Sequence, residues 1–242
     1  MRLFYPMGDL SKEPLQGKKI IHWIGTDIFN MMHKLSWMAV KNIVNFLNDK
    51  DFNFIHLTEA QHTHDELKEL GIESQIVPLP TKPKKLSPLP KDFTVGVYIN
   101  PTQDMYFEQF MYEIAEAMPD IKFKFFGSNA MKDKVEGNKE WVGWVDMNEF
   151  LPTISALVRL TVHDGLPLGP IEAMQAGRNV LSSTQLKYAL HTEYKGGSPV
   201  KEDVIEKIRQ LQDMPLNTEG SKYWNAEMSH DLFRERIAKL LK

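Results

Sequence analysis

The sequence predicts an α/β protein of two Rossmann-like, parallel-sheet domains, and two observations predict it. Strand-like and helix-like segments alternate along both halves of the chain, which is the pattern of βαβ units and a parallel sheet. A proline-rich stretch, Pro78–Pro90, interrupts this alternation. Because proline fixes φ, lacks the amide donor and drives the preceding residue towards extended conformations, this stretch is typical of a semi-rigid linker. An SH3-type ligand is the alternative, but the folded flanks favour the linker.

We therefore divide the 242 residues into four parts. Residues 1–80 form a reduced N-terminal domain, and 81–91 form the proline-rich linker. Residues 92–215 form a full-size doubly wound domain of five or six strands, and 216–242 form a C-terminal helical segment. The division rests on the single linker and on the restart of the strand–helix rhythm after it.

The elements of the first part follow from periodicity and end signals. Apolar runs predict strands at Lys18–Ile24, Phe52–Leu57 and SQIVPL, and a partial strand at RLFY. Helical spacing predicts one helix over Met31–Leu47, with an apolar face of Leu35, Met38, Ile43, Phe46 and Leu47. Thr58 is predicted to cap a helix that runs to Leu70 and ends at Gly71.

The second part repeats the alternation. Strands are predicted at Asp92–Ile99, Ile121–Gly127, EWVGWV, Leu157–Asp164 and RNVLSS. Helices are predicted at Met105–Met118, near Ala130, at MNEFLPTISA, PIEAMQAG, Lys201–Gln212 and Ser221–Leu241.

Composition excludes several classes of protein. There are 29 Lys and Arg against 32 Asp and Glu, a net charge of −3, which argues against a dedicated nucleic-acid binder. The chain has no cysteine, which excludes disulfides and Cys-ligated metals and suits a reducing cytoplasm. No apolar run reaches the roughly 20 residues of a bilayer span, and the first residues do not read as a signal peptide. We expect a soluble, cytoplasmic protein.

The segment that carries chemistry runs from Leu157 to Ser183. A strand is followed by a loop with Gly165 and Gly169, and a helix is predicted to begin at Pro170. Ligands of open α/β sheets bind beyond the carboxyl ends of the strands, and a helix start offers free N–H groups and partial positive charge. The pattern predicts a phosphate or diphosphate cradle, although many such loops bind nothing.

Two carboxylates accompany this loop. Glu172 lies in the first helical turn, where a carboxylate is also favoured simply as a dipole partner. Next to a phosphate cradle, the same carboxylate suits the hydroxyls of a ribose. Asp164 lies eight residues earlier, at the end of the strand.

The stretch DGLPLGPIEAMQAGRNVLSS resembles the signature of the retaining family-4 glycosyltransferases of GT-B fold, in which two acidic residues separated by seven others bracket such a loop. The preceding stretch WVGWVDMNEFLPTISALVRLTVHDG resembles the family's strand, turn and helix. IIHWIGTD resembles its histidine-bearing strand end, and HLTEAQHTHDELKELGIESQIVPLP resembles the region before its linker. The resemblance implies a GT-B-like protein with two domains facing a cleft, residues 216–242 packing back on the first.

The resemblance also implies roles. Asp164 would contact the transferred sugar and His22 would lie near the reacting carbon, so these two are the candidate catalytic residues. Glu172 would bind the ribose, amides near Leu168 and Gly169 the diphosphate, and Gly143–Val145 the nucleobase. The candidate donor-binding residues are Glu172, Gly169, Leu168, Gly165, Gly143, Trp144, Val145 and Asn100. The candidate acceptor-side residues are Trp23, Gly25, Thr26 and Asp27.

The implied activity is a metal-independent, retaining transfer of the hexosyltransferase type, with a nucleotide-diphosphate sugar as substrate and no cofactor. The acceptor stays open between a glycan, a lipid-linked saccharide and a protein. Because the acceptor half has only about 80 residues, a partner subunit, a peripheral membrane contact and a homo-oligomer also stay open.

The sequence departs from the family at two places. No Lys or Arg occurs between Asp92 and Ile121, where members carry a basic pair, so Arg159, Lys187 or the linker lysines would have to compensate. Asp164 stands where the family usually has Glu. A non-catalytic GT-B-like module and a sugar-nucleotide epimerase therefore remain as alternatives. Before Lys18, Gly8 is the glycine that could serve the family's N-terminal loop.

The other clusters favour simple interpretations. His62 and His64 are two residues apart on a predicted helix and face different ways, so a solvated helix start is favoured over a metal site with Asp65 and Glu66. Tryptophans are core residues by default, with sugar stacking as the alternative for Trp23 and Trp144.

Overall fold

The structure is a computed structural model that describes residues 2–3, 19–51, 53–100 and 104–241. Its strands are β1 (Arg2–Leu3), β2 (Lys19–His22), β3 (Phe54–Thr58), β4 (Gln75–Ile76), β5 (Thr94–Tyr98), β6 (Lys122–Phe126), β7 (Val135–Glu136), β8 (Lys139–Gly143), β9 (Ala156–Arg159), β10 (Asn179–Ser182), β11 (Leu190–His191), β12 (Tyr194–Lys195) and β13 (Ser198–Pro199). Gly8 and the rest of the predicted RLFY strand beyond Leu3 lie outside the described residues.

The helices are α1 (Thr26–His33), α2 (Trp37–Leu47), α3 (Gln61–Glu69), α4 (Glu108–Ala117), α5 (Met147–Phe150), α6 (Leu168–Gln175), α7 (Lys201–Asp213), α8 (Thr218–Glu227) and α9 (His230–Leu241). Short 3-10 turns cover Asp104–Tyr106 and Leu151–Thr153.

The chain divides into two compact units. Unit 1 comprises Met1–Pro80, His163–Leu166 and His230–Lys242, and unit 2 comprises Thr81–Val162 and Pro167–Ser229. The short segment His163–Leu166, which the sequence analysis placed in the second domain, therefore groups with unit 1. Of the two helices at the end of the chain, α8 belongs to unit 2 and α9 to unit 1.

Unit 1 is built on a sheet of four strands in the order β1-β2-β3-β4, with β1 antiparallel and the other three parallel. Apolar side chains of β2, α1, α2 and α3 pack into one cluster whose buried members are Ile21, Trp23, Ile28, Met31, Leu47, Leu67 and Ile72. This core fits a parallel arrangement, because helices follow both β2 and β3 and pack into the same cluster.

The single helix predicted over Met31–Leu47 is wrong. The structure has α1 and α2 instead, and Ser36 between them caps α2, its hydroxyl accepting a hydrogen bond of 3.3 Å from the Ala39 N–H. Serine is strongly preferred at helix N-caps, so a new helix can begin at Ser36. The continuous apolar periodicity across Ser36 gave no sign of this helix start. Much of the predicted apolar face is exposed, including Leu35, Met38 and Phe46, whereas Leu47 is buried.

The predicted cap at Thr58 is also wrong. Thr58 is the last residue of β3, and its hydroxyl lies 2.5 Å from the hydroxyl of Thr63. The helix α3 begins three residues later, at Gln61. Its predicted end is confirmed, because Leu70 is the C-cap and Gly71 follows with φ of 81°.

Unit 2 is built on a sheet of seven strands in the order β11-β10-β9-β5-β6-β8-β7. All neighbours are parallel except β7, which pairs antiparallel with β8. The prediction of five or six strands omitted the two-residue edge strands β7 and β11. Fully buried side chains such as Phe123, Phe125 and Ile114 fill the core between the sheet and α4.

Three helix predictions in the second part are corrected. Residues 130–133 form a turn rather than a helix. The helix predicted from Met105 begins at Glu108, because Phe107 has φ of 47° and breaks it from the preceding 3-10 turn. The helix predicted over Ser221–Leu241 is divided into α8 and α9 at Met228 and Ser229.

Residues 81–91, all of them described, form neither helix nor strand and lie on unit 2. The Arg178 side chain is fully buried, and its guanidinium donates to the carbonyls of Ser87 and Pro88 at 2.6 and 3.1 Å. The Lys84 N–H donates to the Asn225 side chain at 2.9 Å. Hydrogen bonds to Arg178 and Asn225 therefore hold this proline-rich segment at Lys84, Ser87 and Pro88.

Candidate functional site

A cavity of about 210 Å³ lies on unit 2 at the carboxyl ends of its central strands. Tyr98 ends β5, Phe126 ends β6 and Arg159 ends β9, and all three line the cavity. The chain passes from β5 to β6 and on to β8 on one side of β5, and then crosses to β9 on the other side, so the switch point of the sheet lies between β5 and β9. Open α/β sheets bind their ligands at this point.

Arg159 supplies positive charge to the cavity. The central guanidinium carbon lies 4.8 Å from the ring centre of Tyr98 and 5.2 Å from that of Tyr106. Cation–π contacts of this kind restrict the orientation of a guanidinium. Of the groups proposed to compensate for the missing basic pair, Arg159 is the one that the structure places in this cavity.

The first turn of α6 lies at the same cavity, through Gly169 and Pro170. The helix begins at Leu168 rather than at the predicted Pro170, with Pro167 as an N-cap that makes no side-chain capping bond. The amides of Leu168 and Gly169 are first-turn amides, which have no acceptor within the helix. A Cβ atom on Gly169 would meet no atom within 4 Å, so a ligand can approach this backbone closely.

Glu172 lies one turn further along α6 and is paired with the linker segment. Its Oε1 lies 3.1 Å from the Lys84 ammonium, which also donates to the Asn148 side chain at 2.8 Å. The side chain of Glu172 remains about a quarter exposed. Lys84 therefore holds Glu172 in place while part of the carboxylate stays accessible.

The turn after β8 contributes Trp144 and Val145 to the cavity. Gly143 has φ of 76°, and a Cβ atom there would lie 2.5 Å from the Asn129 side-chain oxygen. The Gly143 carbonyl accepts from the Gly127 N–H, and the Trp144 N–H donates to Asn129. The Gly143 carbonyl and the Trp144 N–H, both in the stretch predicted to frame the nucleobase, are thus hydrogen-bonded within unit 2. The Trp144 side chain remains accessible, because this residue is 62% exposed.

Asn100, the remaining predicted donor residue of unit 2, lies two residues beyond β5 and is half-buried.

The candidate residues of unit 1 surround the end of β2. His22 is 2% exposed, and burial lowers its pKa to about 4, against the opposing effects of Asp27 and of a hydrogen bond to the Val77 carbonyl. Its Nε2 has no hydrogen-bond partner among the described residues, so Nδ1 is the atom that donates to Val77. At neutral pH, His22 is a neutral imidazole with its lone pair on Nε2.

Of the predicted acceptor-side residues, Trp23 belongs to the core. It is 2% exposed, and its indole N–H donates to His56 at 3.2 Å. Thr26 is exposed at the start of α1, and Asp27 accepts from the N–H groups of Ile24 and Ile28 at 3.2 and 3.1 Å. Trp23 is therefore buried away from the surface, and the hydrogen bonds to Asp27 order the start of α1.

Gly25 and Gly165 approach each other within unit 1. A Cβ atom on Gly25, which has φ of 93°, would lie 2.5 Å from the Gly165 nitrogen, and one on Gly165 would lie 2.6 Å from the Ile24 carbonyl oxygen. Both positions require glycine for steric reasons. Asp164, immediately before this contact, accepts the Gly165 N–H on Oδ1 at 3.1 Å.

Sequence reasoning missed Glu59, which follows β3 and is 7% exposed. Burial raises its pKa to about 7, opposed by hydrogen bonds from the N–H groups of Leu79 and Leu166 and reinforced by the charges of Asp164 and Asp27. A carboxyl group with such a pKa is frequent at functional sites. Its position directly after a strand in a parallel sheet was the signal that could have identified it.

Within the described residues, no group of three His, Asp or Glu side chains could hold a metal ion. In the same residues, no helix is long and apolar enough to cross a membrane.

No protein-family model and no curated protein matches the chain. Solved structures do match. A variant of S. aureus TarM in complex with fondaparinux, alpha-GlcNAc-glycerol and UDP is 18% identical with a TM-score of 0.67, over 93% of this chain and 51% of that one. Sucrose-phosphate synthase from Thermosynechococcus elongatus is 12% identical, with a TM-score of 0.71, over 95% and 68% of the two chains. Anabaena HepE in complex with UDP and glucose is 13% identical, with a TM-score of 0.69, over 92% and 70%.

The chain thus spans about half the length of TarM. These neighbours are GT-B glycosyltransferases, and at such low identity they show the fold. The predicted fold class is confirmed: the chain has a GT-B-like α/β fold of two Rossmann-like, parallel-sheet domains, the N-terminal one reduced.

Proposed function

We propose that this protein is a glycosyltransferase that uses a nucleotide-diphosphate sugar, and that unit 2 binds the nucleotide. The observation that carries the proposal is the cavity at the switch point of the sheet, whose lining includes Arg159 and the first turn of α6. Two of the three structural neighbours described above are complexes with UDP. The resemblance of the stretch from Asp164 to Ser183 to a glycosyltransferase signature supports the same activity.

The chemistry of the cavity suits a diphosphate leaving group. As the glycosidic bond to phosphate breaks, negative charge grows on the diphosphate, and preorganised donors stabilise it. The amides of Leu168 and Gly169 and the guanidinium of Arg159 are such donors. Each is expected to contribute a few kcal/mol, in the range of about 3–4 kcal/mol known for single donors in dry sites.

Further residues are proposed to bind the remaining parts of the nucleotide sugar. Glu172, held by Lys84, accepts hydrogen bonds from the ribose hydroxyls. The exposed Trp144 ring stacks on the nucleobase. The resemblance supplies two further roles, Asp164 at the transferred sugar and neutral His22 near the reacting carbon. For His22, the unprotonated Nε2 fits an acceptor of a hydrogen bond.

Titration calorimetry with UDP-, GDP- and dTDP-sugars tests the proposal. We expect one donor to bind, and Arg159→Ala to weaken its binding at least about tenfold, because one charge-assisted contact contributes about 1.5–3 kcal/mol. Arg209→Ala is the matched control, since Arg209 pairs with Asp120 on the surface of the same unit. If no nucleotide sugar binds even at millimolar concentration, the proposal fails.

Retention of configuration and independence from metal are further parts of the proposal. Because phosphate-binding donors are supplied by the chain itself, turnover is expected to continue in EDTA. NMR of the product anomer measures the stereochemical outcome. An inverted product, or activity that disappears with EDTA and returns with a divalent ion, contradicts this part.

A non-catalytic sugar-nucleotide-binding module is the second candidate. The absence of Lys and Arg between Asp92 and Ile121 favours it. Donor binding without turnover, unchanged by Asp164→Asn, selects this candidate over the enzyme. Donor isomerisation without an acceptor, seen by mass spectrometry, indicates an epimerase instead. The acceptor class, a partner subunit or membrane contact, a homo-oligomer and a cytoplasmic location stay predictions.

A further inference from the structure

The residues His163–Leu166, which we call the Asp164 loop, are held within unit 1 by one short segment of the chain. That segment runs from Glu59, the residue after β3, to Glu66 in α3. It lies about 100 residues before the loop, and the sequence analysis interpreted its helix as a solvated surface.

Three side chains of this segment contact the Asp164 loop. The His62 Nε2 lies 2.8 Å from the Asp164 carbonyl oxygen and donates to it. The His163 Nε2 lies 2.9 and 3.0 Å from the two carboxylate oxygens of Glu66. Glu59 accepts a hydrogen bond from the Leu166 N–H. Three of the four residues of the loop are therefore bonded to this segment.

The spacing of the three side chains explains why one segment makes all these contacts. His62 and Glu66 are four residues apart on α3 and lie on the same helical face. Glu59 lies at the carboxyl end of β3, just before that face, and also accepts the Leu79 N–H. The ring of Phe29, 5.2 Å from the His163 ring, supports the loop from α1.

The same contacts restrict the carboxylate of Asp164. Its Oδ1 accepts the Gly165 N–H, so the side chain is oriented relative to its own backbone. The backbone is in turn held on one side by His62 and on the other by the close approach of Gly165 to Ile24 and Gly25. Fixing the backbone of the loop thus fixes the position of the carboxylate.

We propose that Glu59, His62 and Glu66 are positioning residues that hold the Asp164 loop, and through it the Asp164 carboxylate, in the geometry required for glycosyl transfer. The catalytic part of this inference rests on the proposed function. The three residues do not touch the substrate, and they act through the loop. A displacement of about 1 Å in a reacting group can lower a rate about 100-fold, so side chains of this kind control turnover.

Hydrogen–deuterium exchange of the peptide that contains the loop tests the structural part. Glu59→Gln retains the shape but replaces one acceptor oxygen by a donor, and His62→Ala removes the donor to Asp164. We expect the loop amides to exchange about three- to tenfold faster in both variants, which corresponds to one lost hydrogen bond. His62→Gln, which keeps a donor, should restore much of the protection.

His64→Ala is the matched control, because His64 lies on the same helix but bonds Ser74 at 2.9 Å. It should leave exchange of the loop unchanged. Unchanged exchange in both Glu59→Gln and His62→Ala, or equal acceleration in His64→Ala, overturns the proposal.

Steady-state kinetics with the donor found above tests the catalytic part. We expect His62→Ala and Glu66→Gln to lower kcat at least about tenfold while the donor KM stays within about twofold, since the nucleotide contacts of unit 2 are untouched. A fall confined to KM, or a kcat equal to that of His64→Ala, contradicts it. If no nucleotide sugar is turned over, the proposed function fails, whereas the exchange measurement still decides whether this segment holds the loop.

Discussion

Replacing Glu59 by glutamine should change how the stability of the protein depends on pH. The pKa of this buried carboxyl is raised from 4.5 to about 7 in the folded protein. Between these values the folded state binds more protons than the unfolded state, so the free energy of unfolding falls as the pH rises. Its stabilising contribution is fully present below pH 4.5 and is lost by about pH 7. At about 1.36 kcal/mol per pKa unit, the loss amounts to about 3 kcal/mol.

Glutamine does not titrate, so Glu59→Gln removes this dependence. His22 acts in the opposite sense: its pKa is lowered from 6.5 to about 4, and its contribution is gained as the pH rises through that range. Because the two effects nearly offset each other in the wild-type protein, the test compares variant and wild type at each pH, where the contribution of His22 cancels.

Thermal unfolding followed by circular dichroism at pH 5, 6, 7 and 8 measures the effect. For a chain of this size, about 1 kcal/mol corresponds to a shift of about 2–4 °C in Tm. The Tm of the variant relative to wild type should therefore rise by about 5–10 °C between pH 5 and pH 8, even if the lost hydrogen bond lowers it by a constant amount. A difference that stays constant over this pH range refutes the assignment of a raised pKa to Glu59.

Two further predictions concern sterics and the nucleobase. Gly25→Ala should lower the free energy of unfolding by at least about 2 kcal/mol in denaturant titrations. The reason is that a φ of 93° is strained for alanine and that the Cβ would lie 2.5 Å from the Gly165 nitrogen. Gly169→Ala, whose Cβ meets open space, should have a much smaller effect, and equal effects of the two substitutions would contradict this reasoning. Trp144→Ala should weaken nucleotide binding in calorimetry about tenfold or more, as expected for a lost stacking contact of about 1–3 kcal/mol. Trp37 is 75% exposed on unit 1, so Trp37→Ala should leave nucleotide binding unchanged. Equal binding by the two variants would contradict the stacking role of Trp144.

The donor-side elements were predictable because their signals are local. The strand, loop and helix around Asp164 and Glu172 follow from residues within about ten positions of one another, and the structure has β9 and α6 there. The end of α3 at Gly71 has the same origin, since only glycine adopts its φ of 81° without strain. Predictions failed where a local signal was weak, as at Ser36, which interrupts a run of continuous helical periodicity.

Burial was harder to predict, since it depends on what covers a face. Trp23 and Trp37 are both tryptophans in apolar segments, yet one is 2% exposed and the other 75%. Periodicity alone gives no information on which face of α2 meets the sheet of unit 1. The same reason explains why Arg159 could be named only as one of several candidates before the positions of Tyr98 and Tyr106 were known.

The sequence by itself determined the fold class, the two-part organisation and the stretch that carries the glycosyltransferase resemblance, because these depend on periodicity, on proline and glycine, and on short-range spacing. Only the tertiary structure showed that Glu59, His62 and Glu66 hold the Asp164 loop, since His62 and Asp164 are 102 residues apart along the chain. It likewise showed that Lys84 pairs with Glu172 across 88 positions of sequence. Contacts between distant segments are decided by how the elements pack and not by their local preferences.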